Sequence, residues 1–108
     1  MKLNIYKSKN EIEKTYEADS YDVMWGTLED LSDALKLDEL KTEEDLKTAV
    51  LNLATNSVGK VRELMKDVFD GITDEEMKRT KVKEVGRVIL DLAKYTITEL
   101  RKGFGSKN

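Results

Sequence analysis

The chain has 108 residues, 19 basic and 22 acidic, for a net charge of −3. That length suits one domain, large enough to bury a modest core without staples. It contains no cysteine, histidine or proline, so disulfides, thiolate nucleophiles and Cys or His metal sites are excluded, as is the usual base near pH 7.

Lys2 to Lys7 and Glu11 to Ala18 alternate in the β manner, with Ser8, Lys9 and Asn10 between them as a turn. They predict a short hairpin. Two strands alone are marginal in water, so it must lie on the helices or pair with a strand of another copy. Asp19 or Ser20 can cap a first helix, along which Tyr21, Met24, Leu28, Leu31 and Leu35 form one stripe. Gly26 weakens that helix, and Thr27-Leu28-Glu29-Asp30 offers a later start. Leu37 to Lys41 is a connection. Thr42-Glu43-Glu44-Asp45 is a capping box with Asp in place of Glu, opening a helix that carries Leu46, Ala49, Val50, Leu53 and Ala54. Asn56-Ser57 breaks it, because both residues favour caps over helix interiors. Val58, Val61, Leu64, Met65, Val68 and Phe69 form the next stripe, which Asp70-Gly71 ends. Thr73-Asp74-Glu75-Glu76 opens a short helix through Arg79.

The terminal stretch, Lys81 to Lys102, organises the rest. It places Val82, Val85, Val88, Ile89, Leu90, Leu92, Ala93, Tyr95, Ile97 and Leu100 on one side. That apolar arc is about 220° wide, so this helix must touch more than one neighbour. Gly86 and Ala93 lie within it, where another backbone can come close. Gly103 ends the helix, and the Gly-rich residues after it form a tail. The expected fold is mainly α: a compact bundle of four to five helices (20–102) with a small N-terminal β-hairpin (1–19) and a flexible tail (103–108).

Charge is unevenly spread. Ser20 to Asp45 carries nine acids against two lysines, whereas Lys81 to Asn108 carries seven bases against three acids. The simple reading is two solvated faces; the sharper one is head-to-tail self-association.

Catalytic equipment is lacking. Glu43, Glu44 and Asp45, and Asp74, Glu75 and Glu76, each follow a threonine cap, where the helix dipole accounts for them. No Gly-rich phosphate loop and no EF-hand spacing exist, so no catalytic, metal or cofactor residue is assigned. The basic run Met77 to Lys83 could join two helices as a helix-turn-helix does. The acidic balance and the wide apolar arc of the terminal helix argue against nucleic acid. No apolar run approaches membrane-spanning length, and no signal peptide opens the chain. Trp25 flanks the first-helix stripe, so core burial is expected, with an interface anchor as the alternative. Phe104 either folds back as a hydrophobic stop or waits for a partner.

The stretch Lys14-Thr15-Tyr16-Glu17-Ala18-Asp19-Ser20-Tyr21-Asp22-Val23-Met24-Trp25-Gly26-Thr27-Leu28-Glu29-Asp30-Leu31 resembles the N-terminal signature of a tail assembly chaperone family. Such proteins come from long-tailed phages and prophages of Gram-positive bacteria. Asp70-Gly71-Ile72-Thr73-Asp74-Glu75-Glu76-Met77 and Lys81-Val82-Lys83-Glu84-Val85 are also similar to that family. The resemblance implies a helical, self-associating protein that is not an enzyme and needs no cofactor. Its expected role is to bind the tape measure protein and keep it soluble while tail-tube subunits polymerise around it. It would act in the bacterial host cytoplasm and be absent from the mature virion. It implies no catalytic residues, and the partner-binding residues are not named by it. In many members a ribosomal slip yields a longer form that recruits the tail-tube protein. Ser106-Lys107-Asn108 can be encoded as UCA-AAA-AAC, which contains a heptamer of the slippery kind, with the Gly-rich tail as a hinge. The alternative class is a small helical regulatory or nucleic-acid-binding protein, which the neighbouring genes would discriminate.

Overall fold

The computed structural model describes the backbone of residues 1–105 and the side chains of residues 1–99. Two antiparallel strands, β1 (Lys2–Ser8) and β2 (Glu11–Glu17), precede α1 (Trp25–Leu35), α2 (Glu43–Asn56), α3 (Val58–Val68), α4 (Asp74–Met77) and α5 (Val82–Gly105). The fold is the expected compact helical bundle with a hairpin at its start.

α5 is the axis. It packs against α2, α1 and β1, while α1, α2 and α3 also touch one another. Val85, Val88, Ile89, Leu92 and Ala93 are buried along it. Its neighbours contribute Leu28 and Leu31 from α1, Leu46 and Val50 from α2, and Leu3 and Ile5 from β1. The wide apolar arc thus meets two helices and a strand, as its breadth requires. Three details of that helix differ from expectation. Val82, the first residue of the helix, is exposed. A Cβ at Gly86 would meet nothing within 4 Å, so no backbone approaches there. The helix also runs through Gly103 to Gly105, since a glycine weakens a helix without forcing it to stop. Residues 106–108, in the expected tail, and the side chains of Leu100 and Phe104 lie outside the described residues.

The hairpin lies on the helices. Leu3 and Ile5 share one face of β1 and are fully buried. The N–H groups of Asn4 and Tyr6, which β2 does not take, are also met. Asn4 donates to Glu84 Oε1 at 3.3 Å and Tyr6 to the Arg79 carbonyl at 2.8 Å. The Tyr6 hydroxyl donates to Glu84 as well, and this bond, before burial, raises the phenol above its ordinary value. The outer edge of β1 is therefore closed, and only β2, lined by charged side chains, keeps a free edge.

Both threonine capping boxes form. Thr42 Oγ1 accepts from the Asp45 N–H at 3.0 Å while Asp45 accepts from Thr42 N–H at 3.3 Å. Thr73 and Glu76 repeat the pattern at 3.1 Å in each direction. The chain breaks at Ser57 as expected, with no side-chain cap, so backbone geometry rather than its hydroxyl makes the break. Val58, opening α3, is exposed instead of completing that helix's stripe. Gly71 adopts a φ of 87°, the left-handed form that a side chain resists.

α1 ends on Lys36, which holds φ 52° and ψ 54°. Helices favour glycine in that left-handed position, since a Cβ there is strained. Lys36→Gly is therefore expected to raise stability by about 0.5–1 kcal/mol, read as a higher urea midpoint at constant slope. No gain would mean that a Lys36 contact offsets the strain.

Candidate partner-binding surface

The start of α1 overturns two expectations. Asp19 caps only a short 3-10 turn, Ser20–Asp22, by accepting the Tyr21 N–H at 3.1 Å. Val23 and Met24 are then extended, with ψ of 133° and 145°, and α1 begins at Trp25 without a side-chain cap. Val23 turns inward to lie against the core, so the residues on either side of it point out. Tyr21 is 82% exposed, Met24 75% and Trp25 60%. Tyr21 and Met24 therefore leave the core stripe, which starts at Leu28. Trp25 is a surface residue and not a core one.

These three side chains sit on a fixed frame. The Tyr21 ring meets Tyr95 of α5 edge-on, 6.0 Å between centroids. Leu28, one turn on from Trp25, is buried. Two aromatic residues and a methionine exposed within five residues of chain are an apolar concentration that soluble surfaces rarely carry without use. A second opening, about 310 Å³, is mostly apolar, with Val58, Val61, Val82 and Val85 in its wall beside Arg62 and Lys78.

Apart from Glu44, which is exposed, the two acidic triads are taken up structurally. Glu43 pairs with Lys94 at 3.0 Å, and that lysine holds its carboxyl below the ordinary value. Asp45 serves the Thr42 cap. Asp74 meets Lys66 at 2.6 Å, whose hydrogen bond likewise lowers it. Glu75 holds Arg79 at 2.9 Å, which also reaches Glu13 at 2.9 Å. These two carboxylates raise the Arg79 guanidinium above its ordinary value. Glu76 is buried and binds Lys14 and Tyr16. Among the described residues, no group of three or more acidic, Cys or His residues is placed to hold a metal ion.

In the basic run, Arg79 is thus occupied and Lys81 lies 4.3 Å above the Tyr6 ring. No helix among the described residues is long and apolar enough to cross a membrane. The patch around Trp25 was missed by periodicity, which counts Tyr21 and Met24 into the helix. The only local signal for it is Asp19, which caps the start of a turn that Val23 does not continue. No protein-family model, no curated protein and no solved structure matches this chain.

Proposed function

We propose that the protein is a non-enzymatic tail assembly chaperone. It binds the tape measure protein of a long-tailed phage or prophage and keeps it soluble while tail-tube subunits polymerise around it. The observation that carries this reading is the exposed cluster of Tyr21, Met24 and Trp25, which falls inside the stretch that resembles the family. A holding protein needs an apolar surface that is fixed in place, so that it can cover a client without collapsing on itself. The edge-on contact of Tyr21 with Tyr95 contributes to that fixing. A charge content of 38% keeps the carrier itself in solution. On this reading the protein works in the host cytoplasm and leaves before the virion is complete. Copies associate with one another, and a longer frameshifted form brings in the tail-tube protein.

The test is co-expression with the tape measure protein of the same tail operon. The expected result is that the tape measure protein moves into the soluble fraction and co-purifies with this chain. Equal precipitation with and without the chain would remove the reading. Trp25→Ala combined with Met24→Ala is expected to weaken co-purification and leave the fold intact, because both side chains are exposed.

A further inference from the structure

α1 runs between two grooves. The first, about 260 Å³, lies between α1 and α5. Buried Leu28 forms its floor and Trp25 one end, and Glu29, Asp33 and Glu99 stand along it. The second, about 280 Å³, lies between α1 and α3. Leu31 and Leu64 line it, with Asp30, Asp33, Glu63 and Asp67 around them and Lys60 as its single cation.

Five of the acids on this face stand outside the ion-pair network of the described residues. Most other acids of the fold are in ion pairs or caps, whereas Glu29, Asp30, Asp33, Glu63 and Asp67 make no ion pair among the described residues. Glu29 and Asp33 are four residues apart on α1, as are Glu63 and Asp67 on α3. Like charges at that spacing each weaken a helix by about 0.2–0.5 kcal/mol. Negative charge is thus concentrated beside an exposed tryptophan at some loss to local stability.

We propose that the α1–α5 groove is the seat of a basic amphipathic helix. The apolar stripe of such a helix lies over Leu28 and Trp25, and lysines or arginines one turn to either side reach Glu29 and Asp33. A cation near the Trp25 ring gains a further contact with its face. The same field repels an acidic helix, a nucleic acid or an anionic membrane surface, so charge selects the class of partner. This assigns the chemistry of the client's binding segments; it rests on the chaperone reading only for where such a helix comes from.

Trp25 is the only tryptophan in the chain, so its emission reports occupancy directly. The full chain is titrated with a synthetic Trp-free helix of leucine and lysine, and with its counterpart carrying glutamate for lysine. The expected result is a saturable blue shift with the lysine helix and binding at least roughly tenfold weaker for the glutamate helix. Affinity for the lysine helix should fall as salt rises from ~50 to ~200 mM, since exposed charges are screened. The double variant Glu29→Lys, Asp33→Lys should lose at least roughly tenfold in affinity with an unchanged circular dichroism spectrum. The same charge change at Glu11 and Glu17, on β2, should have little effect. Equal binding of the two helices, or unaltered binding by the Glu29/Asp33 variant, would overturn the proposal. So would a dimer that buries Trp25 and excludes the lysine helix. Lysine-helix binding without solubilisation of a tape measure protein would remove the chaperone reading and leave the groove. Solubilisation that survives in the Glu29/Asp33 variant would do the reverse.

Discussion

Leu92→Ala is expected to lower the unfolding free energy by about 2–5 kcal/mol, whereas Asp91→Ala changes it by less than about 0.5 kcal/mol. The two residues are neighbours in sequence, yet α5 turns them about 100° apart. Leu92 is fully buried and faces the helices that α5 holds together. Truncating it removes buried methylenes and leaves a cavity, because α1 and α2 are fixed by their own contacts and cannot close on the gap. Asp91 is exposed and gives up little when shortened. Urea melts of the two variants at equal slope make the comparison. Similar losses from both would mean that the helix is rotated from the phase described.

Glu76 should make the protein acid-sensitive. One of its carboxylate oxygens accepts from the Tyr16 hydroxyl at 2.6 Å and the Thr73 N–H at 3.1 Å. The other meets the Lys14 ammonium at 2.5 Å. A single buried carboxylate therefore joins β2 to the cap of α4. Its hydrogen bond with Lys14, and then that with Tyr16, lower its pKa from 4.5 to about 2, against the opposing effect of burial. The folded state holds its proton more weakly than the unfolded chain does. The stability that Glu76 contributes is accordingly complete above about pH 4.5 and is lost as pH falls toward about 2. Glu76→Gln is expected to cost about 1–3 kcal/mol at neutral pH, since Lys14 and Tyr16 lose a charged acceptor. It should also flatten the acid limb of a stability–pH curve. Asp74 and Glu43, lowered by Lys66 and Lys94, have the same sign, so a smaller acid response persists in the variant. An unchanged acid limb in Glu76→Gln would assign the sensitivity to those two groups.

Features that depend on a few neighbouring residues were legible in advance. The Thr42 and Thr73 capping boxes are decided within four residues, and each forms as its spacing predicts. The turn at Gly71 follows from the conformational freedom of one residue. The burial of Val85, Val88, Ile89 and Leu92 follows from a helical period that leaves no other way to hide so many apolar groups. The site was much less legible. A three- and four-residue step from Tyr21 to Leu28 looks continuous, and nothing in the spacing records that Val23 leaves the helix and turns inward.

By itself, then, the sequence determined the number of helices, the two threonine caps, the hairpin and the dominance of α5. These rest on backbone propensity, short-range hydrogen bonds and hydrophobic periodicity, which act along the chain. Tertiary structure decided what covers each face. It closed the edge of β1 with Glu84 and Arg79, and it brought Lys14 and Tyr16 to Glu76 across some sixty residues of chain. It also left Trp25, Met24 and Tyr21 uncovered beside Glu29 and Asp33. A side chain's place on a helix is set by rotation per residue, but its burial depends on whether another element arrives there. At Leu92 the neighbouring helices do; at Trp25 the side chain stays 60% exposed.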